Sequence, residues 1–414
     1  MKRYNGHWKS LLVLLVISLG LSDASLGEGG PIRIGFVGDF SSVSKAYTDN
    51  AYKAAQQAVA DFNAEGGVIG RPVELIRRDG GNDPDLHYRH FTELVRNEGV
   101  VAVFGGAASP NVLKASAASR ELRVPYLVSI GNSQSIVVEN GHPFVFMFEP
   151  NSRMESLGFS IFATLMPWKR YAWIGPDYAW GRDVLGFFKQ YFDDIDAPIE
   201  WATEVWHPLG ATEYTDAIKR IIESRPDALV VATWGEDLRH FMRAAEAVKL
   251  FDNMAAFGWF STFSGAEERI FPEGIWKISR GPFNYLATKY PQTRAFVEKF
   301  HDLYDTYPLG FTIACYDSLL AWQRAVTESS SAEPAKVAEI LKGMRFTGLR
   351  GESYIRAIDG QMNSPAYFGR LIYNSDYPIG VIDPVIEIPA DNIWLTEKEV
   401  ESRRSLQDTK SSNN

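Results

Sequence analysis

Short apolar runs alternate along the chain with segments whose apolar positions recur every third or fourth residue. The run at 32–37 (IRIGFV) reads as a strand buried on both faces. It leads through Gly38-Asp39-Phe40-Ser41-Ser42 into a helix over 46–65, which Gly66-Gly67 ends. The pattern repeats with a strand at 71–78 and a helix opened by Asp83-Pro84 and running through Val95. A strand at 100–104 then ends in the small-residue turn Gly105-Gly106-Ala107-Ala108-Ser109-Pro110. Another helix carries the chain to Val124-Pro125, a short strand at 126–129 and a second turn, Ile130-Gly131-Asn132-Ser133. Strand–helix units joined by short turns predict right-handed crossovers and a parallel sheet with helices on both faces.

After a strand at 144–148 the chain passes Glu149-Pro150-Asn151 and the alternation restarts. Helices are expected at 152–165, 181–191, 213–223 and 236–248, with strands at 171–174, 199–205, 228–232 and 255–257, which makes a second doubly wound unit. A strand at 275–279 precedes Gly281-Pro282-Phe283, and helices follow at 293–304, 311–328 and 334–344. The remainder carries β-type pieces at 353–356 and 367–373, then polar residues beyond about Lys398 that predict a frayed tail.

The turns after 104 and after 129 fall at one edge of the first sheet. Strand ends and helix N-termini there present unpaired backbone N–H groups, and small side chains let a ligand approach them. The stretch 100–133 is therefore expected to form half of a small-molecule site, with the other half in the second unit.

Composition adds compartment and class. A chain of 414 residues, 45% hydrophobic and 22% charged, is long enough for two ordinary globular domains. Its net charge of −9, without basic clusters, excludes a nucleic-acid partner. Lys2, Arg3 and Lys9 precede an apolar run too short to span a bilayer comfortably, and Ser22-Asp23-Ala24 supplies a cleavage site. Residues 1–24 thus read as a secretory signal peptide, with an uncleaved anchor as the alternative. One cysteine, Cys315, excludes an internal disulfide framework, so an exported protein of this size fits a bacterial periplasm. His87 and His90 lack a third metal ligand nearby and read as a solvated face. No GxSxG, P-loop or GxGxxG-after-strand pattern is present, and no nucleophile–base set is visible, so neither an enzyme nor a cofactor or metal is expected.

Several segments together resemble the branched-chain amino acid group of type I periplasmic substrate-binding proteins. They are NAEGGVIGRPVELIRRD (63–79) followed by Asp83-Pro84, VVAVFGGAAS (100–109), VPYLVS (124–129), YAWGRD (178–183) and GATEYTDAI (210–218). The resemblance implies an α/β fold of two doubly wound parallel-sheet lobes joined by three hinge crossings, near 148–151, 280–284 and 344–349. The first lobe would comprise 31–148 and 282–345, the second 149–281 and 346–398, with 399–414 a disordered tail. It further implies a monomeric ligand-binding protein that serves the permease of an ABC transporter and does not insert in the membrane after signal removal. The alternative is a sensor using the same lobes to signal through a partner.

Carried over residue by residue, the resemblance puts Ser109 where the group has a serine that holds the ligand carboxylate, beside Ala108. The pair Ser109-Pro110 also fits a plain helix start. Asn132 falls in the second carboxylate-binding turn, with Ile130 contributing backbone; an ordinary Gly-Asn turn is the plainer reading. Trp180 replaces a tyrosine of the group, and Trp234 follows a predicted strand end. Each tryptophan taken singly is more simply core, but facing one cleft the two suggest a stacking wall. The position that supplies an acidic partner to an α-ammonium is Phe260 here, after Trp259. Unless Glu236 or Asp237 substitutes, an aromatic or otherwise apolar carboxylic acid is favoured over an amino acid. A quaternary ammonium caged by the same aromatics, with Glu236 nearby, is the competing ligand. Ser41 and Tyr47 complete the candidate set.

Overall fold

The computed structural model describes residues 29–260, 268–374 and 376–412; the expected signal peptide lies outside the described residues. The first lobe is a five-stranded sheet in the order β2-β1-β3-β4-β5, built from β1 (Ile32–Gly38), β2 (Val73–Asp79), β3 (Val103–Gly105), β4 (Tyr126–Val128) and β5 (Val145–Met147). All its pairings are parallel. Helices α1 (Lys45–Ala64), α2 (Pro84–Glu98) and α3 (Ser109–Leu122) make the crossovers. The start of α2 follows from its sequence: Asp83 accepts from the backbone N–H of Asp85 and Leu86, Pro84 opens the helix, and Gly99 ends it at φ 69°.

The second lobe begins with α4 (Ser152–Thr164), which Asn151 caps by accepting from the Met154 N–H. It continues through β6 (Arg170–Pro176), α5 (Ala179–Asp194), β7 (Glu200–His207), α6 (Thr215–Ser224), β8 (Ala228–Val231), α7 (Gly235–Ala247), β9 (Ala255–Gly258) and β10 (Trp276–Ser279). The chain then returns through α8 (Phe283–Lys289), α9 (Pro291–Tyr304), α10 (Gly310–Ser329) and α11 (Pro334–Leu341). These helices complete the first lobe: the Tyr316 hydroxyl donates to Asp61 of α1 at 2.7 Å, and the Tyr304 hydroxyl to the Lys53 carbonyl at 3.0 Å.

The third crossing lies later than expected. Residues near 344–349 stay on the first lobe as part of a hairpin of β11 (Arg345–Gly348) and β12 (Gly351–Tyr354). Gln361 then pairs in parallel with Met147 of β5, so the chain leaves the first lobe only around Asn363. Leu349 and Arg350 are held back by Asp317 of α10, which accepts from the Leu349 N–H at 2.6 Å and from Arg350 Nε at 3.0 Å. Strand β13 (Ala366–Ile372) then joins β10 antiparallel, and β14 (Val381–Ile388) closes a seven-stranded sheet in the order β14-β13-β10-β9-β8-β6-β7. Pro384 within β14 is tolerated because the strand is an edge.

A fourth connection follows. Residues 389–396 carry the chain back to the first lobe, where α12 (Glu397–Ser412) docks. The expectation of a disordered tail from 399 differs from this helix for identifiable reasons. Thr396 and Glu399 cap it reciprocally. Leu395 and Val400 enter the core of the first lobe, and Arg404 donates to the carbonyls of Val137, Val138 and Ile358 at 2.8–3.0 Å. No helix among the described residues is long and apolar enough to cross a membrane.

Candidate functional site

The edge turns of both sheets face each other across a cavity of about 90 Å³. From the first lobe come Tyr47, Ala107, Ser109, Ile130 and Asn132; from the second, Tyr178, Trp180, Trp234, Trp259 and Lys277 of β10; from the second crossing, Arg280. Tryptophans 180, 234 and 259 stand where strands β6, β8 and β9 give way to helices or loops, the position that makes a strand end a ligand edge. Trp180 and Trp259 meet edge to face at 5.2 Å, and Tyr47 stacks on Trp234 at 5.8 Å across the cleft.

The lobes touch in this conformation. The Gly235 N–H donates to the Tyr47 hydroxyl at 2.9 Å, and the Glu236 N–H to the Val43 carbonyl at 3.3 Å. Gly235 is required at this approach: its φ is 64°, and a Cβ there would lie 2.4 Å from the Val43 oxygen. On the cleft rim Ser133 donates to Asp183 at 2.5 Å.

Of the residues expected from sequence, Ser109, Ile130, Asn132, Trp180, Trp234, Trp259 and Tyr47 line the cavity. Four do not. Phe260 is fully buried against Phe271 at 5.8 Å, because the chain turns inward after Trp259. The Ala108 N–H is bound to Asp39 at 3.1 Å, and Ala107 takes its place on the wall. Ser41 is exposed and bonded to Asp79. Glu236 sits in the first turn of α7 with its carboxylate 3.6 Å from Arg239, outside the lining.

Asn132 lines the cavity but not as the expected amide donor. Its Nδ2 donates to the Pro150 carbonyl and to Glu155 Oε2, both at 2.7 Å, so both amide hydrogens are engaged. Ser109 is 1% exposed and its hydroxyl makes no hydrogen bond to the protein. His87, expected on a solvated face, is completely buried, with Nε2 2.9 Å from Asp39. Asp39 also accepts from Ser44, Ala108 and Asn111, and so fixes the end of β1 to the start of α3.

Sequence reasoning missed Arg280. It donates to Glu155 through Nε at 2.7 Å and a terminal nitrogen at 3.2 Å, and to the Ile130 carbonyl at 2.6 Å. The available signal was an arginine directly before the Gly281-Pro282 return. Around it the crossings gather Glu149, Glu155 and Asp317 with Arg280 and Arg350, three carboxylates against two guanidinium groups. Glu149 is completely buried, its nearest charge partner is Arg350 at 3.8 Å, and neither carboxylate oxygen has a hydrogen-bond partner. Burial therefore pushes its carboxyl up to about 8 against the pull of Arg350 and Arg280. The Tyr178 hydroxyl is likewise raised, chiefly by burial.

Two lobes that close over a cavity at facing strand ends define a hinged binding protein. Its fold is that of type I periplasmic binding proteins, and the chain belongs to the periplasmic binding protein family, which it matches over residues 31–376. The family is one of binding proteins, not enzymes. An "Amino acid binding protein" from Pseudomonas aeruginosa is 22% identical over 349 residues, 81% of this chain and 88% of the relative. The Leu/Ile/Val-binding protein of Escherichia coli is 33% identical over 100 residues, 24% of this chain and 26% of that protein. A Rhodopseudomonas palustris solute-binding protein of an ABC transporter, solved with 3,4-dihydroxybenzoic acid, superposes with a TM-score of 0.77 at 18% identity, covering 87% of this chain and 98% of that one. Another from R. palustris, solved with benzoate, gives 0.76 at 17% identity, covering 87% and 97%.

Proposed function

We propose that this chain is the periplasmic solute-binding component of an ABC transporter, exported by its amino-terminal signal, and that it captures a small carboxylate. An aromatic or apolar acid is favoured over an amino acid. The observation that carries the reading is the charge of the cavity wall. Among the described lining residues there are two cationic side chains, Lys277 and Arg280, and no carboxylate. An α-ammonium enclosed there would lack the acidic partner that a buried cation needs, and a quaternary ammonium would face the same two positive charges. The aromatic part of the wall, Tyr47, Tyr178, Trp180, Trp234, Trp259, Phe283 and Phe311, suits a flat ring. The benzoates held by neighbours of the same fold support this class of ligand.

Closure then follows from population shift. A ligand touching Ser109 on one lobe and the tryptophans on the other makes all its contacts only when the lobes meet, so it favours the closed form offered to a membrane permease. Tryptophan fluorescence and calorimetry with benzoate, 4-hydroxybenzoate, 4-methylpentanoate, leucine, valine and glycine betaine test the reading. Saturation by an acid at near-equimolar protein is expected. Tight binding of leucine, valine or betaine, with no binding of the acids, overturns it.

A further inference from the structure

The expected anion-binding amide of Asn132 is engaged by Pro150 and Glu155, which leaves open what receives the carboxylate. We infer that Arg280 is the charge partner of the bound acid and, with the Ser109 hydroxyl, forms its carboxylate seat. This rests on the reading of the chain as a carboxylate-binding protein.

A guanidinium offers five N–H donors. In Arg280 three are used: Nε and one terminal nitrogen on Glu155, and the other terminal nitrogen on the Ile130 carbonyl. Two remain without a protein partner. The side chain lines the cavity and is 14% exposed. Its orientation is fixed by the bidentate grip of Glu155, itself held by Asn132. A pre-oriented guanidinium with spare donors is suited to a carboxylate, which it binds through two parallel N–H···O contacts. Ser109 supplies a second, independent feature. It is 1% exposed, its hydroxyl has no protein partner, and it begins α3, whose first N–H groups favour an anion.

Position makes Arg280 more than a local contact. It belongs to the second crossing, donates to Ile130 of the first lobe and to Glu155 at the start of the second, and its own carbonyl lies 3.4 Å from Arg350. An acid docked on its free edge therefore rests on the hinge itself, and the aromatic wall of the second lobe closes on the ring.

The test compares benzoate with benzamide, equal in shape and different in charge, on the full mature chain. Arg280→Gln alone would leave Glu155 buried and uncompensated, so the informative variant is Arg280→Gln with Glu155→Gln, whose amide oxygen still accepts from Asn132. Wild type is expected to prefer the acid. In the double variant the acid should weaken by about 30-fold or more, as loss of a charge-assisted pair implies, while the amide moves by less than threefold. Arg280→Lys should keep most of the preference for the acid. A folded double variant that retains the wild-type preference overturns the assignment, as does an equal loss of acid and amide, which marks Arg280 as purely structural. If wild-type protein binds no acid of any kind, the proposed function fails first and the carboxylate seat with it.

Discussion

Glu149→Gln should change how stability depends on pH. Glu149 is completely buried in the first crossing, with no hydrogen-bond donor on either oxygen and Arg350 3.8 Å away. Its carboxyl is raised from an ordinary 4.5 to about 8, first by burial, with Glu155 and Asp317 adding and Arg350 and Arg280 opposing. For an acid raised in the folded state, the contribution to stability is fully present below about pH 4.5 and is lost as pH rises through about 8. Between those limits the folded protein binds a proton that the unfolded chain releases. The interval corresponds to a ceiling on the order of 5 kcal/mol. A glutamine at 149 never ionises, so it lacks this slope. Other titrating groups, such as Asp237, raised by burial to about 6, and His142, lowered by burial to about 4, are common to both proteins and cancel in the difference. Thermal melts of wild type and variant from pH 5 to pH 9 supply the measurement. Wild type should lose several degrees relative to the variant over that range, and most of the change should fall between pH 6 and 8. Parallel profiles would refute the reasoning, since they would mean that Glu149 stays ionised and well solvated when the chain is folded.

Gly235→Ala should weaken ligand binding about tenfold or more while lowering the melting temperature only modestly. The Cβ meets the Val43 oxygen only when the lobes are together, and strain at positive φ adds roughly 1–2 kcal/mol; calorimetry and a melt on one sample separate the two. Ser109→Ala should weaken the best acid by several-fold and leave the fold intact, because its hydroxyl has no protein partner to lose; an unchanged dissociation constant would remove it from the site. Arg404→Ala removes the Arg404 donors from the carbonyls of Val137, Val138 and Ile358, of which Val138 keeps the Gly141 N–H. It should destabilise the docking of α12 by about 2–3 kcal/mol and expose the carboxyl-terminal helix to limited proteolysis, whereas wild-type resistance would show that Leu395 and Val400 hold the helix unaided.

Much of the framework was legible because it rests on local rules. Apolar runs became strands, Asp83-Pro84 started α2, and Gly105-Gly106 ended β3 at the ligand edge. The tryptophans at 180, 234 and 259 reached the cavity because each follows a strand that the hydrophobic pattern already marked. What was not legible depends on partners distant in sequence. Asn132 looked like a free amide until Pro150 and Glu155 took its hydrogens, and His87 looked solvated until Asp39, 48 positions earlier, met it in the core. Strand β14 was hidden by Pro384, which argues against a strand unless the strand is an edge, and edge status is settled only by the whole sheet.

The tail is the instructive case, since its signal was local and was outweighed by composition. Thr396-Glu397-Lys398-Glu399 is a capping box, and such a box marks a helix start even where the following residues are polar. A polar helix of this kind has little core of its own and needs a surface to dock on. Here the surface is provided by the carbonyls of Val137 and Val138, to which Arg404 donates, together with Leu395 and Val400 packed beneath. The consequence reaches the site. Beyond the family match at residue 376, the same segment places Gly380, Val381 and Ile382 on the cavity wall and then returns to the first lobe. The lobes are thus joined by a fourth segment of chain besides the three crossings, and the stretch leading into it also lines the cavity between them.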